Sequence, residues 1–206
     1  CREKGIYFHV DACQAVAYAY IDVKESNIDL LTFNGSKMYG PKGVAVLYVR
    51  ESINIFPITY GGGQLQSLRS GTENVPGIVG LAKAVEIIAA EREKDATCIS
   101  QLRDQLQDEL EKNGGVINVK TSPRLPNHLS VTLNNAKATD LVKYFDQNGI
   151  AVSSGSACSA TSMAESYVLK AIGLSSVEIN KTIRITLGRG TTEADISAVV
   201  SVAKEA

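Results

Sequence analysis

An excess of charge of either sign is what this 206-residue sequence lacks first: 21 basic residues stand against 22 acidic ones, a formal net charge of -1. That balance offers no electrostatic footprint for nucleic acid or for an anionic membrane surface, and points to small-molecule or protein partners. No apolar run approaches the roughly 20 residues that span a bilayer, and the opening Cys1-Arg2-Glu3-Lys4-Gly5 resembles neither a signal peptide nor a transit peptide. A cytoplasmic location is the expectation. The four cysteines, Cys1, Cys13, Cys98 and Cys158, lie far apart with no CxxC pair, and of the two histidines, His9 and His128, only His9 is near one of them. Neither a zinc site nor a disulfide framework follows. Cys13 and Cys98 read most simply as small buried hydrophobes. An initiator Met is missing too, and the charged opening has the character of a helix end leading into a strand, so the sequence reads as part of a longer protein.

What is present suits a folded α/β protein, since 44% hydrophobic residues can bury the core of one large domain or two small ones. Residues 6–10 form a short apolar run closing on Asp11, and residues 29–33 a second, closing on Asn34-Gly35-Ser36-Lys37-Met38-Tyr39-Gly40-Pro41-Lys42-Gly43. Both predict strands. Residues 44–49 form a continuous apolar run, as in a strand buried on both faces. A polar loop with Gly61-Gly62-Gly63 and Arg69-Ser70-Gly71-Thr72 follows. From Pro76 to about Lys112, Ile78, Leu81, Ala82, Val85, Ile88 and Ala89 keep a helical period, and Cys98, Leu102, Leu106 and Leu110 continue it at every fourth residue. One long helix, or two abutting, is predicted, ended by Asn113-Gly114-Gly115. Beyond it, Leu129, Val131 and Leu133 mark a half-buried strand, 139–147 a helix, 150–153 a short strand, 163–172 a helix closed by Gly173, and 182–187 a strand. A last helix spans 192–204, with Thr192 as N-cap and Asp195 in its first turn. This alternation predicts a small α/β layer at 94–206, following a first domain at 1–93.

Certain residues could carry chemistry. A lysine delivered to a strand's carboxyl end, as Lys37 is, can be desolvated, neutral and nucleophilic, as an internal aldimine with pyridoxal phosphate requires. Asp11 also ends a strand, where α/β sheets place their ligands, and its carboxylate could keep the pyridine nitrogen of that cofactor protonated; Gln14 could hydrogen-bond the phenolic oxygen. Cys158 lies in Ser153-Ser154-Gly155-Ser156-Ala157-Cys158-Ser159-Ala160, eight small residues that bury little surface and so predict a mobile loop able to carry a thiol into a site. Arg184, inside an apolar strand, could hold a substrate carboxylate through two parallel hydrogen bonds. Arg189, after Gly188, reads as structural or surface. Blander readings stay open: Lys37 on the solvated surface, Asp11 as a helix N-cap, Cys158 in a linker, Arg184 on an edge strand facing water.

Five ordered blocks, His9-Val10-Asp11-Ala12-Cys13-Gln14, the Gly35 to Gly43 loop, Arg69-Ser70-Gly71-Thr72, Ser153 to Cys158, and Ile183-Arg184 through Leu187-Gly188-Arg189, resemble those of NifS/IscS-type cysteine desulfurases in the class V aminotransferase family. The likeness covers essentially the whole chain and is to the carboxyl-terminal half of such enzymes. It implies part of a large pyridoxal-phosphate domain of the aspartate-aminotransferase fold (fold type I), followed by a small α/β domain. It also implies removal of sulfur from L-cysteine, leaving L-alanine and a persulfide for an iron-sulfur scaffold or other acceptor protein. By the resemblance, Lys37 forms the aldimine, Asp11 pairs with the pyridine nitrogen, Gln14 contacts the phenolic oxygen and Cys158 takes the sulfur. Arg184 holds the substrate carboxylate, and Thr72 reaches the phosphate across a homodimer. Asn34 and Ser36 approach the phosphate where the family usually has Ser and His; both keep hydrogen-bond donors. The other readings are a selenocysteine lyase or aminotransferase of the same fold, and a non-catalytic fragment that keeps only a dimer or scaffold-binding surface.

Overall fold

Two small three-stranded sheets organise the chain, one in each of two units, 1–93 and 94–206, in a computed structural model that describes residues 1–133, 136–155 and 165–206. In the first unit, β1 (His9–Asp11) runs parallel to β2 (Leu30–Asn34), and β2 pairs antiparallel with β3 (Ala45–Val49). A parallel pair needs a long crossover. Here the connection is a chain of turns that lays Ala12, Ala15, Val16 and Ala17 onto the apolar residues of β2 and β3.

Two strand expectations need correction. Ile6 and Tyr7 are exposed and stand outside β1, which begins only at His9. Residues 44–49 are not buried on both faces: β3 is antiparallel, and side chains alternate along it, so Val46 and Tyr48 pack inward while Ala45 and Leu47 are exposed.

The predicted long helix is α1, Val75–Lys112, unbroken over 38 residues. Asn74 accepts the Gly77 N–H at 3.1 Å, and Pro76 lies in the first turn, where a missing N–H costs nothing. At the other end the Gly115 N–H reaches the Leu110 carbonyl and the Gly114 N–H that of Glu111, with Gly114 at φ 84. That paired arrangement is why a glycine stands there. The buried face differs in detail from the expected one. Leu81, Ala84 and Ile88 are buried in the first unit and Ile99, Leu102, Leu106 and Leu110 in the second, whereas Ile78, Ala82, Ala89 and Cys98 are exposed. Cys98 is therefore not a buried hydrophobe. A repeat of four drifts off a 3.6-residue turn, and Ile99 holds the inward position instead.

The second unit's sheet is antiparallel throughout, in the order β4 (Val116–Ile117), β5 (His128–Thr132) and β6 (Thr182–Thr186). β5 is buried on both faces rather than half-buried: Leu129 and Val131 on one side, Ser130 and Thr132 on the other. The hydroxyls can be buried because Asn118 Nδ2 donates to both and the Thr132 hydroxyl also pairs with that of Thr182 at 2.8 Å. The helices are α2 (Ala138–Gln147), α3 (Tyr167–Ala171), α4 (Ser176–Ile179) and α5 (Glu193–Glu205). Leu141 and Phe145 of α2 and Ile196, Val199, Val200 and Ala203 of α5 are buried. Thr192 and Asp195 form the capping box of α5, and Ser175 with Glu178 builds a second one on α4, too short for periodicity to reveal. Residues 150–153 make only one bridge, Ser153 to Arg184. Of the helix expected over 163–172, residues 163 and 164 lie outside the described residues, and the described part narrows to α3, capped by Ser166. Among the described residues, no helix is long and apolar enough to cross a membrane.

Phe145 is 0% exposed, so Phe145→Ala is expected to lower the unfolding free energy measured in urea by about 3–5 kcal/mol. A loss below about 1 kcal/mol would show that the ring does not fill the core.

Candidate functional site

β1 and β2 run in the same direction, so the chain leaves both at one edge of the sheet, with Asp11 opposite Thr32. Five residues beyond Thr32 comes Lys37, at the end of the one-turn 3-10 helix Gly35–Lys37. Asn34 makes that turn: its Oδ1 accepts the Lys37 N–H at 3.1 Å and the Ser36 hydroxyl at 2.9 Å. Gly35 is buried, donates to the Val44 carbonyl and accepts from the N–H groups of Met38 and Gly40. A Cβ on it would run into the Pro41 carbonyl oxygen. Met38 is 1% exposed and packs with Leu81 and Ile88 of α1. Gly80 lets Pro41 approach the same helix, where a Cβ would stand 2.6 Å from the ring.

With both neighbouring anchors buried, the turn presents Lys37 outward. Its side chain is exposed, so the sequence reading of a desolvated lysine does not describe this chain: Gly35 and Met38 are the residues the turn buries. Tyr39 follows in the left-handed region at φ 63, its hydroxyl 2.7 Å from that of Tyr18.

Asp11 is exposed and closes a tight turn, its Oδ1 accepting the Cys13 N–H at 3.0 Å. No helix follows within the turn-rich crossover, so the residue caps a turn rather than a helix. The hydrogen bond from the Cys13 side chain, then that from its backbone, holds the Asp11 carboxyl below the usual carboxylate range. Cys13 is half-buried but not a mere hydrophobe. Its Sγ accepts Asn34 Nδ2 at 3.3 Å, and burial, reinforced by the Asp11 carboxylate, pushes the thiol up. His9, on the same face of β1 as Asp11, pairs with the Thr32 hydroxyl at 2.8 Å. Sequence patterns do not single out His9, Cys13 and Thr32 as site residues, although spacing by two along β1 places His9 beside Asp11. Gln14 is exposed.

Thr72 is exposed in a loop held by its neighbours: the Ser70 hydroxyl donates to the Gly62 carbonyl at 2.7 Å, and the Gly71 N–H to Gln64 Oε1. In the second unit, Arg184 is half-buried on β6 and already has a partner, Nη1 donating to the Gly155 carbonyl at 3.0 Å, while its backbone pairs with Ser153. A simple water-facing edge residue is thereby excluded. Arg189 forms an ion pair with Asp95 at 3.0 Å, a structural role. Cys158 lies outside the described residues.

Residues 1–199 match the family described as Aminotransferase class-V. The chain is 42% identical over 99% of its length to a cysteine desulfurase IscS of Methanosarcina thermophila, covering 51% of that protein. A solved NifS-like protein from Rickettsia africae is 32% identical, with a TM-score of 0.90 over 99% of this chain and 54% of that one. Another, described as SspA in complex with cysteine, is 35% identical, with a TM-score of 0.71 over 93% of this chain and 53% of that one. The chain spans about half the length of the curated relatives it matches.

The Asp11 value lies below normal in the folded chain, so its contribution to stability is complete above the ordinary value near 3.9 and is lost as pH falls through the lower folded one. Asp11→Asn should therefore flatten the acid limb of stability against pH, as read by urea unfolding between about pH 5 and pH 2. An unchanged limb would show that the Cys13 bonds do not hold the carboxylate.

Proposed function

The chain belongs to the class-V aminotransferase family and has the pyridoxal-phosphate fold type I of its NifS-like neighbours, and from that premise we propose that the full-length protein is a cysteine desulfurase. Class-V aminotransferases and cysteine desulfurases depend on pyridoxal phosphate. The observation that carries the reading is the placement of an ionised carboxylate, Asp11, and an exposed amine, Lys37, at the carboxyl ends of adjacent parallel strands. This donor set fits the cofactor: an anion for its protonated ring nitrogen and a primary amine for its aldehyde. When bound, pyridoxal phosphate supplies an electron sink for a carbanion formed on the substrate.

The chain's own residues then have separate tasks. Asp11, whose carboxyl the contacts with Cys13 hold below the usual range, would keep a proton on the ring nitrogen. Lys37 would hold the cofactor through its amine and would move protons at the substrate's α-carbon. Gln14 would donate to the phenolic oxygen, and Ser36, Asn34 and Thr72 would offer hydroxyl and amide donors to the phosphate, Thr72 across a homodimer. Arg184 binds the substrate carboxylate in exchange for the Gly155 carbonyl it holds here. The Cys158 thiolate takes the sulfur of L-cysteine as a persulfide, the carbon–sulfur bond breaks, and the carbon skeleton leaves as L-alanine once a proton is returned. The name IscS carried by the relatives supports an iron-sulfur scaffold as the acceptor, and the similarity to SspA solved in complex with cysteine supports L-cysteine as substrate. On this reading unit 1–93 belongs to the cofactor domain, unit 94–206 is the domain carrying the thiol, and the protein works in the cytoplasm.

Full-length protein supplied with pyridoxal phosphate, L-cysteine and a reductant is expected to release sulfide and alanine in equal amounts. Cys158→Ala should cut sulfide release by more than about 100-fold. Undiminished release from that variant would remove the thiol from the mechanism, and formation of a keto acid without sulfide would replace the desulfurase reading with transamination.

A further inference from the structure

Between the two residues proposed to bracket the cofactor runs an unbroken series of hydrogen bonds by way of Cys13 and the Asn34 side chain. It begins at the Asp11 carboxylate, which accepts the Cys13 N–H at 3.0 Å. The Cys13 sulfur in turn accepts Asn34 Nδ2 at 3.3 Å. The opposite end of the same carboxamide, Oδ1, accepts the Lys37 N–H at 3.1 Å and the Ser36 hydroxyl. Asp11 and Cys13 belong to β1 and the turn after it, while Asn34 and Lys37 belong to β2 and the turn after that. The two turns are therefore tied side chain to side chain, beyond the ladder that joins the strands.

We propose that Cys13 and Asn34 are positioning residues whose bridge fixes the distance between the Asp11 carboxylate and the Lys37 turn, and with it the gap that receives the cofactor. This rests on the reading that Asp11 and Lys37 hold pyridoxal phosphate. Three features carry it. Asn34 uses both ends of its amide, so its orientation is determined by the Lys37 N–H on one side and the sulfur on the other. Sulfur is a weak acceptor, and a carboxamide donor rests on it only where the backbone puts the two within reach. Finally, burial and the neighbouring carboxylate keep Cys13 protonated at neutral pH. A protonated thiol accepts from Asn34 while its own S–H is directed to the Thr32 carbonyl at 4.0 Å, and the Cys13 N–H holds Asp11, whereas a thiolate would repel the carboxylate. Cys13 is thus a two-sided link, in contrast to the nucleophile proposed at Cys158.

The test is a titration of cofactor-free, full-length protein with pyridoxal phosphate, followed by the visible absorption band of the lysine-bound cofactor. Cys13→Ala is expected to weaken binding by about 3–10-fold, the range of a typical hydrogen bond. Cys13→Ser, which can donate and accept like the thiol, should restore affinity to within about 2-fold of wild type. Asn34→Ala should cost less in the Cys13→Ala background than alone, because the bridge is already cut there. Should Cys13→Ala fail to fold, Cys13→Val takes its place in the same cycle. If Cys13→Ala binds like wild type, or its effect and that of Asn34→Ala simply add, while Asp11→Asn and Lys37→Ala abolish the band, the bridge is overturned and the cofactor reading stands. If Asp11→Asn and Lys37→Ala leave affinity and band unchanged, the cofactor reading falls and the bridge falls with it.

Discussion

The carboxamide of Asn34 is the contact on which the lysine turn depends. Where β2 ends, the chain passes at once into the one-turn 3-10 helix Gly35–Lys37, and such a turn leaves backbone N–H groups without strand partners. Asn34 satisfies the Lys37 N–H and the Ser36 hydroxyl with one oxygen. Packing then fixes the rest: Gly35 sits where no Cβ fits, and Met38 is sealed against α1. A side chain between two buried neighbours on so short a turn is directed outward, which is how Lys37 becomes available without being the residue that stabilises its own loop.

Opposite shifts on two residues separated only by Ala12 set the electrostatics where β1 ends. Hydrogen bonds from Cys13 lower the Asp11 carboxyl further, while partial burial, followed by the neighbouring Asp11, raises the Cys13 thiol. One local turn produces both effects. In the second unit, by contrast, the guanidinium of Arg184 is held by a backbone carbonyl, and β5 buries hydroxyls by pairing them with Asn118 and Thr182. These buried or half-buried polar groups find partners in neighbouring segments, which offsets the cost of burying them unpaired.

Much of the element order was legible in residue patterns. The ends of α1 and α5 follow from Asn-Gly-Gly and from Thr192 with Asp195, because caps are decided by neighbours in sequence. Less legible were the faces. Cys98 fits a repeat of four and is exposed, while Ile99 beside it is buried; one residue is a rotation of about 100°, which only tertiary packing resolves. β3 reads as a fully buried strand, yet its antiparallel pairing leaves Leu47 outside. Continuous apolar composition does not say which strand lies alongside. The second layer likewise reads as alternating α and β, and is antiparallel because its strands are joined by returns rather than by right-handed crossovers.

By itself the sequence determined the membership of the family, the order of strands and helices, and the residue types available for chemistry: an amine and a carboxylate each placed after a short apolar run. These are local properties, fixed by periodicity, turn residues and motif spacing. Only the tertiary structure decided that β1 and β2 are parallel neighbours, that Lys37 faces outward while Met38 is sealed, and that Cys13 joins Asp11 to Asn34. Those outcomes depend on pairing between segments about 20 residues apart in the chain, and strand register, not composition, determines which side chains come within hydrogen-bonding reach.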